Sequence, residues 1–500
     1  MADVTETARA DRRLTPAHGP VVVRVLHILE SSPFPILLVA LVGVILLSAF
    51  APSIIVGDTW LTLVAGREVV DHGLPSTERL TVLGQGATWT DQQWLAQVVF
   101  YGVHELAGIR GVVLLDVTLV LLALSLVTAT ARAGGASSRS TFLVGLLAVL
   151  AGPWGWTIRA QSTALPLYAA TLWLLVDAAR NGIRRRTLLV LPLLVLWANL
   201  HGSVVLGAGL TVLLGATELV RARRVTPVPL LLAVTAPLSV LASPYGTKLV
   251  AYYDLMLVDA PFAPILREWQ WSRPDATTFL FWILALLAAA LLAKRRCRGR
   301  LTRYELLVLA VTFVGAVQAV RGVVWFALAA AAILPAALDG VVTRADIRAP
   351  TVNRAISLAA IAGLAVALVS FLARPSSWFV SDWPEDRVQA VREATRDSRT
   401  RLYPTDGTAD WLLWRLPALR GRIAYDVRFE LYDRTTLDEI VQYNARRGDW
   451  RSTLDGYGVV VAEGGRSSRA AKSLVAGGAR VVFTDADVTI LLRSGGMTGR

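Results

Sequence analysis

Apolar runs recur along the chain from residue 36 to residue 373, each close to the length a helix needs to cross a hydrocarbon core of about 30 Å. The pattern predicts roughly eleven spans, at 36–56, 111–131, 140–158, 162–179, 187–200, 203–220, 227–243, 276–293, 304–320, 322–338 and 355–373, the fifth being short. Between the first two lies the longest polar interval, residues 57–110. It carries two amphipathic helical patterns, 60–71 and 91–106, joined by a Gly/Pro/Thr-rich connection. A simple reversal would use only a few residues, so this loop is built as the wall of something.

Beyond residue 373 the pattern changes to that of a small α/β domain. A helix is expected at 384–396, with Pro384 suited to its first turn. Short β-type runs follow at 399–403, 422–427, 457–462, 479–484 and 487–493, with helical patterns at 408–415, 433–445 and 467–475. The expected fold class is a polytopic α-helical membrane protein with a C-terminal extracytoplasmic α/β domain. Its parts are a cytoplasmic segment 1–34, a transmembrane domain 35–373 with the large external loop 57–110, and the tail domain 374–500.

Composition agrees. With 54% hydrophobic and 17% charged residues among 500, and a mean hydropathy of +0.53, the chain is not an ordinary soluble domain. Its net charge of +13 does not point to nucleic acid, because the basic residues cluster between spans. Alternate threading from a cytoplasmic N-terminus puts 22 Lys and Arg in the inner segments and eight in the outer ones before residue 374. Inside fall `RNGIRRR`, `RARR` and `KRRCRGR`. An odd span count then sends the tail outside. Cys297 stands alone, so it forms no intramolecular disulfide, and no cleavable signal pattern precedes the first span. The expected location is the bacterial plasma membrane.

The same threading places Asp58, Asp91, Arg159, Asn199, His201, Lys248, Glu268 and Arg321 at the outer face. They come from separate loops or span ends, and polar groups near hydrocarbon are costly unless paired. A shared wet cavity accounts for them together. Asp58, in `VGDTWL`, reads as a helix N-cap and equally as a carboxylate that takes a proton from an acceptor hydroxyl. Arg159, Arg321 and Lys248 suit a lipid phosphate, with snorkelling to the headgroups as the alternative for the arginines. Asn199 and His201 share the helix break `WANLHG`, and Glu268 lies in `LREWQW`. Asp91 reads as a second helix start, and Asp116 lies just within the second span, within reach of the same cavity. No metal-ligand spacing is present, no cofactor is implied, and a divalent metal stays open.

These groups suit glycosyl transfer from a lipid-phosphate sugar. The phosphate departs without a strong general acid, so one base and cations for the phosphate suffice; a base on the far side of the sugar would invert the anomeric carbon.

The segments `GDTWLTLVAGREVVDHGLPSTERLT`, `TWTDQQWLAQVVFY`, `WANLHGS`, `SPYG`, `REWQW` and `WLLWRLP…AYDVRFELY` resemble the GT-C superfamily of integral-membrane glycosyltransferases, and within it uncharacterised bacterial members distantly like protein mannosyltransferases. The resemblance implies a polyprenyl-phosphate sugar donor, a glycan, lipid or protein acceptor, and a catalytic carboxylate at Asp58. Thr59 follows Asp58 where mannosyltransferase-like members tend to have an acidic pair. Two other readings stand beside this one: a transporter or flippase of lipid-linked sugars, and a non-catalytic assembly protein for cell-envelope glycans.

Overall fold

In the computed structural model, residues 29–342 and 349–493 are described. The segment 1–34 expected in the cytoplasm falls mostly outside them. Each apolar run forms helix: Phe34–Ile45 with a π turn to Phe50, Ser138–Ala151, Ala164–Asn181, Val190–Leu200, Val204–Ala222, Pro227–Ser239, Phe279–Ala293, Arg303–Gln318, Val323–Leu338 and Pro350–Ala373. The remaining run continues the second amphipathic pattern in one 40-residue helix, Trp94–Ala133, broken at Gly108, whose φ is 64°. That left-handed glycine marks the expected change from surface helix to span.

Among the described residues five helical segments are both long and apolar enough to cross a membrane: Trp94–Ala133, Ala160–Asn181, Val204–Ala222, Val320–Leu338 and Pro350–Ala373. Several other apolar helices are shorter, among them Phe34–Phe50, Ser138–Ala151, Pro227–Ser239 and Phe279–Ala293. The expectation of eleven full spans therefore exceeds what helix length supports. The shortfall arises where Pro, Gly and polar residues end helices early, as at Gly152 and His201. Val323–Leu338 is buried almost throughout and runs through the centre of the bundle.

The C-terminal region carries a four-stranded sheet: β1 (Leu402–Tyr403), β2 (Val459–Glu463), β3 (Arg480–Thr484) and β4 (Val488–Leu492) in the order β1-β2-β4-β3. β1 and β2 are parallel; β2–β4 and β3–β4 are antiparallel, with Val461 opposite Ile490. Helices Glu385–Ala394, Ala409–Arg415, Arg434–Ala445 and Arg469–Ala476 accompany it. The strand expected at 422–427 does not form. Ile423 instead makes single bridges to Leu402 and Thr81, and the Val82 and Leu83 N–H groups donate to the Ile423 and Ala424 carbonyls at 2.8 and 2.9 Å. The segment is spent on stitching the sheet to the loop 57–110.

That junction is extensive. The first loop helix, Gly57–His72, packs Trp60 against Trp383 and hands Arg67 to the carbonyls of Leu413 and Trp414. Glu68 pairs with Arg420 at 2.7 Å. Arg428, 3% exposed, is clasped by Asp426 and Glu78, each at 2.5 Å, and lies over the Trp89 ring. Burying three charges is tolerable only when each is paired, so this cluster fixes how loop and tail meet.

Candidate active site

A cavity of about 380 Å³ opens where the loop helix, several helix breaks and the C-terminal region converge. Asp58, Arg159, His201, Glu268 and Arg321 all line it.

Asp58 sits in the first turn of Gly57–His72, two residues past the N-cap Val56 rather than at the cap itself. Capping falls to Thr59, whose Oγ1 accepts the Val56 N–H at 3.0 Å and donates to the Ile158 carbonyl at 2.9 Å. The Asp58 side chain is thereby released from the backbone and turned to the cavity, while the helix dipole still favours its negative charge. The Thr59–Ile158 bond, with the Ile158 N–H on the Ile54 carbonyl at 2.9 Å, also draws the 157–163 loop alongside.

On that loop, Arg159 is held by Thr157 Oγ1 at 3.0 Å. Its Nε lies 3.1 Å from Asp58 Oδ2, and the other end of its guanidinium lies 2.6 Å from Glu268 Oε2. One cation thus bridges two carboxylates from distant segments. Burial works against the Arg159 charge, but the two acids outweigh it and hold the guanidinium firmly protonated.

The two acids diverge. Burial raises the Asp58 carboxyl above its ordinary range, even against Arg159 and with Glu268 adding to the rise. For Glu268, burial raises but Arg321 and Arg159 prevail, so the carboxyl is held below its usual range. Two carboxylates pushed apart in this way suit different tasks: Glu268 is held as an anion against Arg159, while the Asp58 carboxyl takes up a proton more readily than an ordinary aspartate.

Arg321 lies in the turn Val320–Gly322 between two helices. A Cβ at Gly322 would meet the Gly315 carbonyl at 2.4 Å, so glycine is required for the tight reversal that presents the arginine. The Arg321 guanidinium stacks 4.2 Å from the Trp269 ring centre, and among the described residues no carboxylate lies within ion-pair distance of it. Its N–H groups remain for an anion.

His201 ends Val190–Leu200. Its Nδ1 accepts the Ser203 N–H at 3.1 Å and lies 2.8 Å from Ser203 Oγ, which itself accepts from Trp197 Nε1. Nδ1 is therefore the acceptor and Nε2 carries the hydrogen. Burial, with Arg321 and Arg159 nearby, pushes its pKa down to about 3. It is a neutral donor, not a cation.

Four expected residues stand apart. Lys248 is exposed at the start of the helix Lys248–Leu257 and does not line the cavity, because the turn before it ends on the surface. Asn199 is occupied structurally, donating to the Val195 and Ala242 carbonyls and accepting from Trp94 Nε1. Asp91 is 2% exposed behind the wall, accepting Gln97 Nε2 at 2.9 Å, and is not the helix start, which falls at Trp94. Asp116 is fully buried within its helix and does not reach the cavity. Conversely, Arg428 and Glu430 line the cavity from the C-terminal region. Only their place in `AYDVRFELY` marked them in the sequence, since nothing in a local pattern shows that a distant domain will close over the loop. Among the described residues no group of three or more His, Cys, Asp or Glu could hold a metal ion.

No protein-family model and no curated protein sequence matches the chain. Solved structures share its fold. ArnT from Cupriavidus metallidurans bound to undecaprenyl phosphate aligns over 97% of this chain and 100% of its own, at 16% identity and a TM-score of 0.50. The Archaeoglobus fulgidus oligosaccharyltransferase AglB, in complex with an inhibitory peptide and a dolichol-phosphate, aligns over 86% of this chain and 69% of its own, at 12% identity and a TM-score of 0.50. The arabinofuranosyltransferase AftD from Mycobacteria aligns over 94% of this chain but 40% of its own, at 15% identity and a TM-score of 0.51. At these identities the likeness is one of fold.

Proposed function

We propose that the protein is a membrane glycosyltransferase that moves a sugar from a polyprenyl-phosphate donor to an extracytoplasmic acceptor, with inversion and with Asp58 as general base. The observation that carries this reading is the convergence, in one cavity, of an upshifted carboxyl on a helix N-terminus with two guanidinium groups, Arg159 and Arg321. The shared fold adds to it, since ArnT and AglB are described with polyprenyl-type phosphates bound.

In this mechanism the donor phosphate rests on Arg321 and the outward edge of Arg159, and His201 Nε2–H donates to an oxygen of phosphate or sugar. The acceptor hydroxyl attacks the anomeric carbon while its proton passes to Asp58. The bond from that carbon to the phosphate oxygen breaks, and its electron pair leaves on the phosphate, where fixed cations stabilise the added charge. Glu268 touches no reacting atom here; it positions Arg159. In this reading the chain crosses the membrane several times, with residues 1–34 in the cytoplasm and the domain 374–500 outside. The test is turnover of undecaprenyl-phosphate sugars by the full chain in lipid nanodiscs, wild type against Asp58→Asn. Loss of transfer with folding intact supports the reading, and equal turnover removes Asp58 from it.

A further inference from the structure

The cavity has a second polar wall that the donor chemistry does not use. Glu430, in the turn Phe429–Leu431, faces the cavity close enough to Asp58 to feel its charge. The same cavity is lined by Gln93 and Gln97 from the loop, and by Tyr252 and Tyr253 from the helix Lys248–Leu257. Gln97 is 3% exposed, and its Oε1 has no hydrogen-bond partner; the Tyr253 hydroxyl is likewise buried and unpartnered. The two tyrosine rings meet edge to face, 5.3 Å apart. Buried acceptors and hydroxyls left open in a cavity are expensive unless a ligand completes them.

The wall offers no cation for an acidic ligand. Its one guanidinium, Arg428, is consumed by Asp426, Glu78 and the Trp89 ring. A carboxyl, the Gln93 amide, the Gln97 amide oxygen and two phenols match a ring of neutral hydroxyls, with aromatic edges for its C–H groups. A phosphorylated headgroup would meet Glu430 without compensation, and a plain lipid alcohol would leave the amides unpaired.

We propose that this wall is the acceptor subsite and that it takes a neutral saccharide, with Glu430 accepting hydrogen bonds from the sugar's hydroxyls next to the one that Asp58 deprotonates. The inference rests on the glycosyl-transfer reading for the identity of the opposite wall, but the saccharide contact itself is independent of turnover.

The experiment uses the full chain in nanodiscs loaded with undecaprenyl phosphate. Binding of methyl glycosides of glucose, galactose, mannose and arabinose, and of the corresponding sugar phosphates, is followed by intrinsic tryptophan fluorescence. The expected result is saturable binding of at least one neutral glycoside, preferred over its phosphate. Measured at about pH 8.5, where the carboxyl is ionised, Glu430→Gln should weaken it about tenfold or more, the scale of a hydrogen bond to a charged acceptor, and leave undecaprenyl phosphate binding unchanged. Gln97→Leu, a second variant, should act in the same direction. Binding that survives Glu430→Gln within a factor of about two, preference for the phosphates, preference for an acceptor peptide, or no glycoside binding would each overturn the proposal. If glycosides bind through Glu430 but no donor sugar is ever turned over, the glycosyl-transfer reading fails and the subsite stands. If donor sugar is transferred to water or acceptor regardless of Glu430, the subsite fails alone.

Discussion

Asp58 and Arg159, 101 positions apart in sequence, meet with Oδ2 and Nε 3.1 Å apart, and the meeting is arranged by their neighbours rather than by themselves. Thr59 and Ile158 share a hydrogen bond of 2.9 Å, so each charged side chain is carried to the other by the adjacent residue. The Arg159 and Asp58 side chains are 20% and 35% exposed, so their attraction is partly softened by solvent; its value is in orientation.

Glu268 holds the far side of Arg159, and its removal should be felt through that arginine. Glu268→Gln is expected to lower kcat by about tenfold while leaving the undecaprenyl phosphate affinity nearly unchanged, as for a lost positioning contact. Arg159→Lys should do worse, about a hundredfold, because an ammonium cannot face two carboxylates and a phosphate at once. Steady-state rates on both variants check the order.

Arg321 is the guanidinium left for an anion. Arg321→Ala should weaken undecaprenyl phosphate binding by about tenfold or more, and Trp269→Ala, which removes the stacked ring, by less. Titration of the lipid phosphate into each variant reads the two effects; equal affinities would contradict the assignment.

The base must be ionised to work. With its pKa raised above the ordinary 3.8 by burial, Asp58 should impose an acidic limb on kcat/KM, the rate rising with pH as the carboxyl loses its proton. His201, pushed down to about 3, is neutral across the working range and should add no limb. A pH profile in which His201→Gln removes the acidic limb would reverse these roles.

Glu430 gives a stability signature of opposite sign to that of a salt-bridged acid. Its carboxyl is raised by burial from 4.5 to about 7, so the folded state holds the proton more tightly than the unfolded chain. That contribution is full below the unfolded value and is lost as pH rises through about 7. Glu430→Gln, which mimics the protonated group, should therefore gain Tm relative to wild type by a few degrees between those two values and stay level above them. Thermal unfolding of both proteins across that window checks it.

The clasp on Arg428 should be the most fragile polar contact. Arg428→Ala strands Asp426 and Glu78, both fully buried, and is expected to destabilise by about 3–5 kcal/mol. Asp426→Asn, which leaves Glu78 in place, should be milder in thermal unfolding.

Much of this was legible in the chain. The apolar runs became helices almost where the pattern puts them, and the left-handed Gly108 falls between the amphipathic and apolar halves of one long helix. Asp58, Arg159, His201, Glu268 and Arg321 share a cavity because charges beside hydrocarbon need one another or water. What stayed hidden depended on long-range choices. Asp58 and Thr59 both suit the start of a helix, and only the Ile158 carbonyl decides that Thr59 takes the cap. Ile423 has a strand's composition but pairs across to Thr81. Lys248 and Asn199 both sit at helix ends, yet Lys248 is exposed away from the cavity and Asn199 is consumed by two carbonyls. Glu430 could not be placed without knowing that the tail folds back over the loop.

The most direct test of the central claim is the rate of sugar transfer from an undecaprenyl-phosphate donor by Asp58→Asn, measured beside its affinity for undecaprenyl phosphate. The account predicts a loss of about two to four orders of magnitude in kcat, the range for removing a general base, with lipid phosphate affinity retained. Transfer at the wild-type rate by a folded Asp58→Asn protein would contradict it.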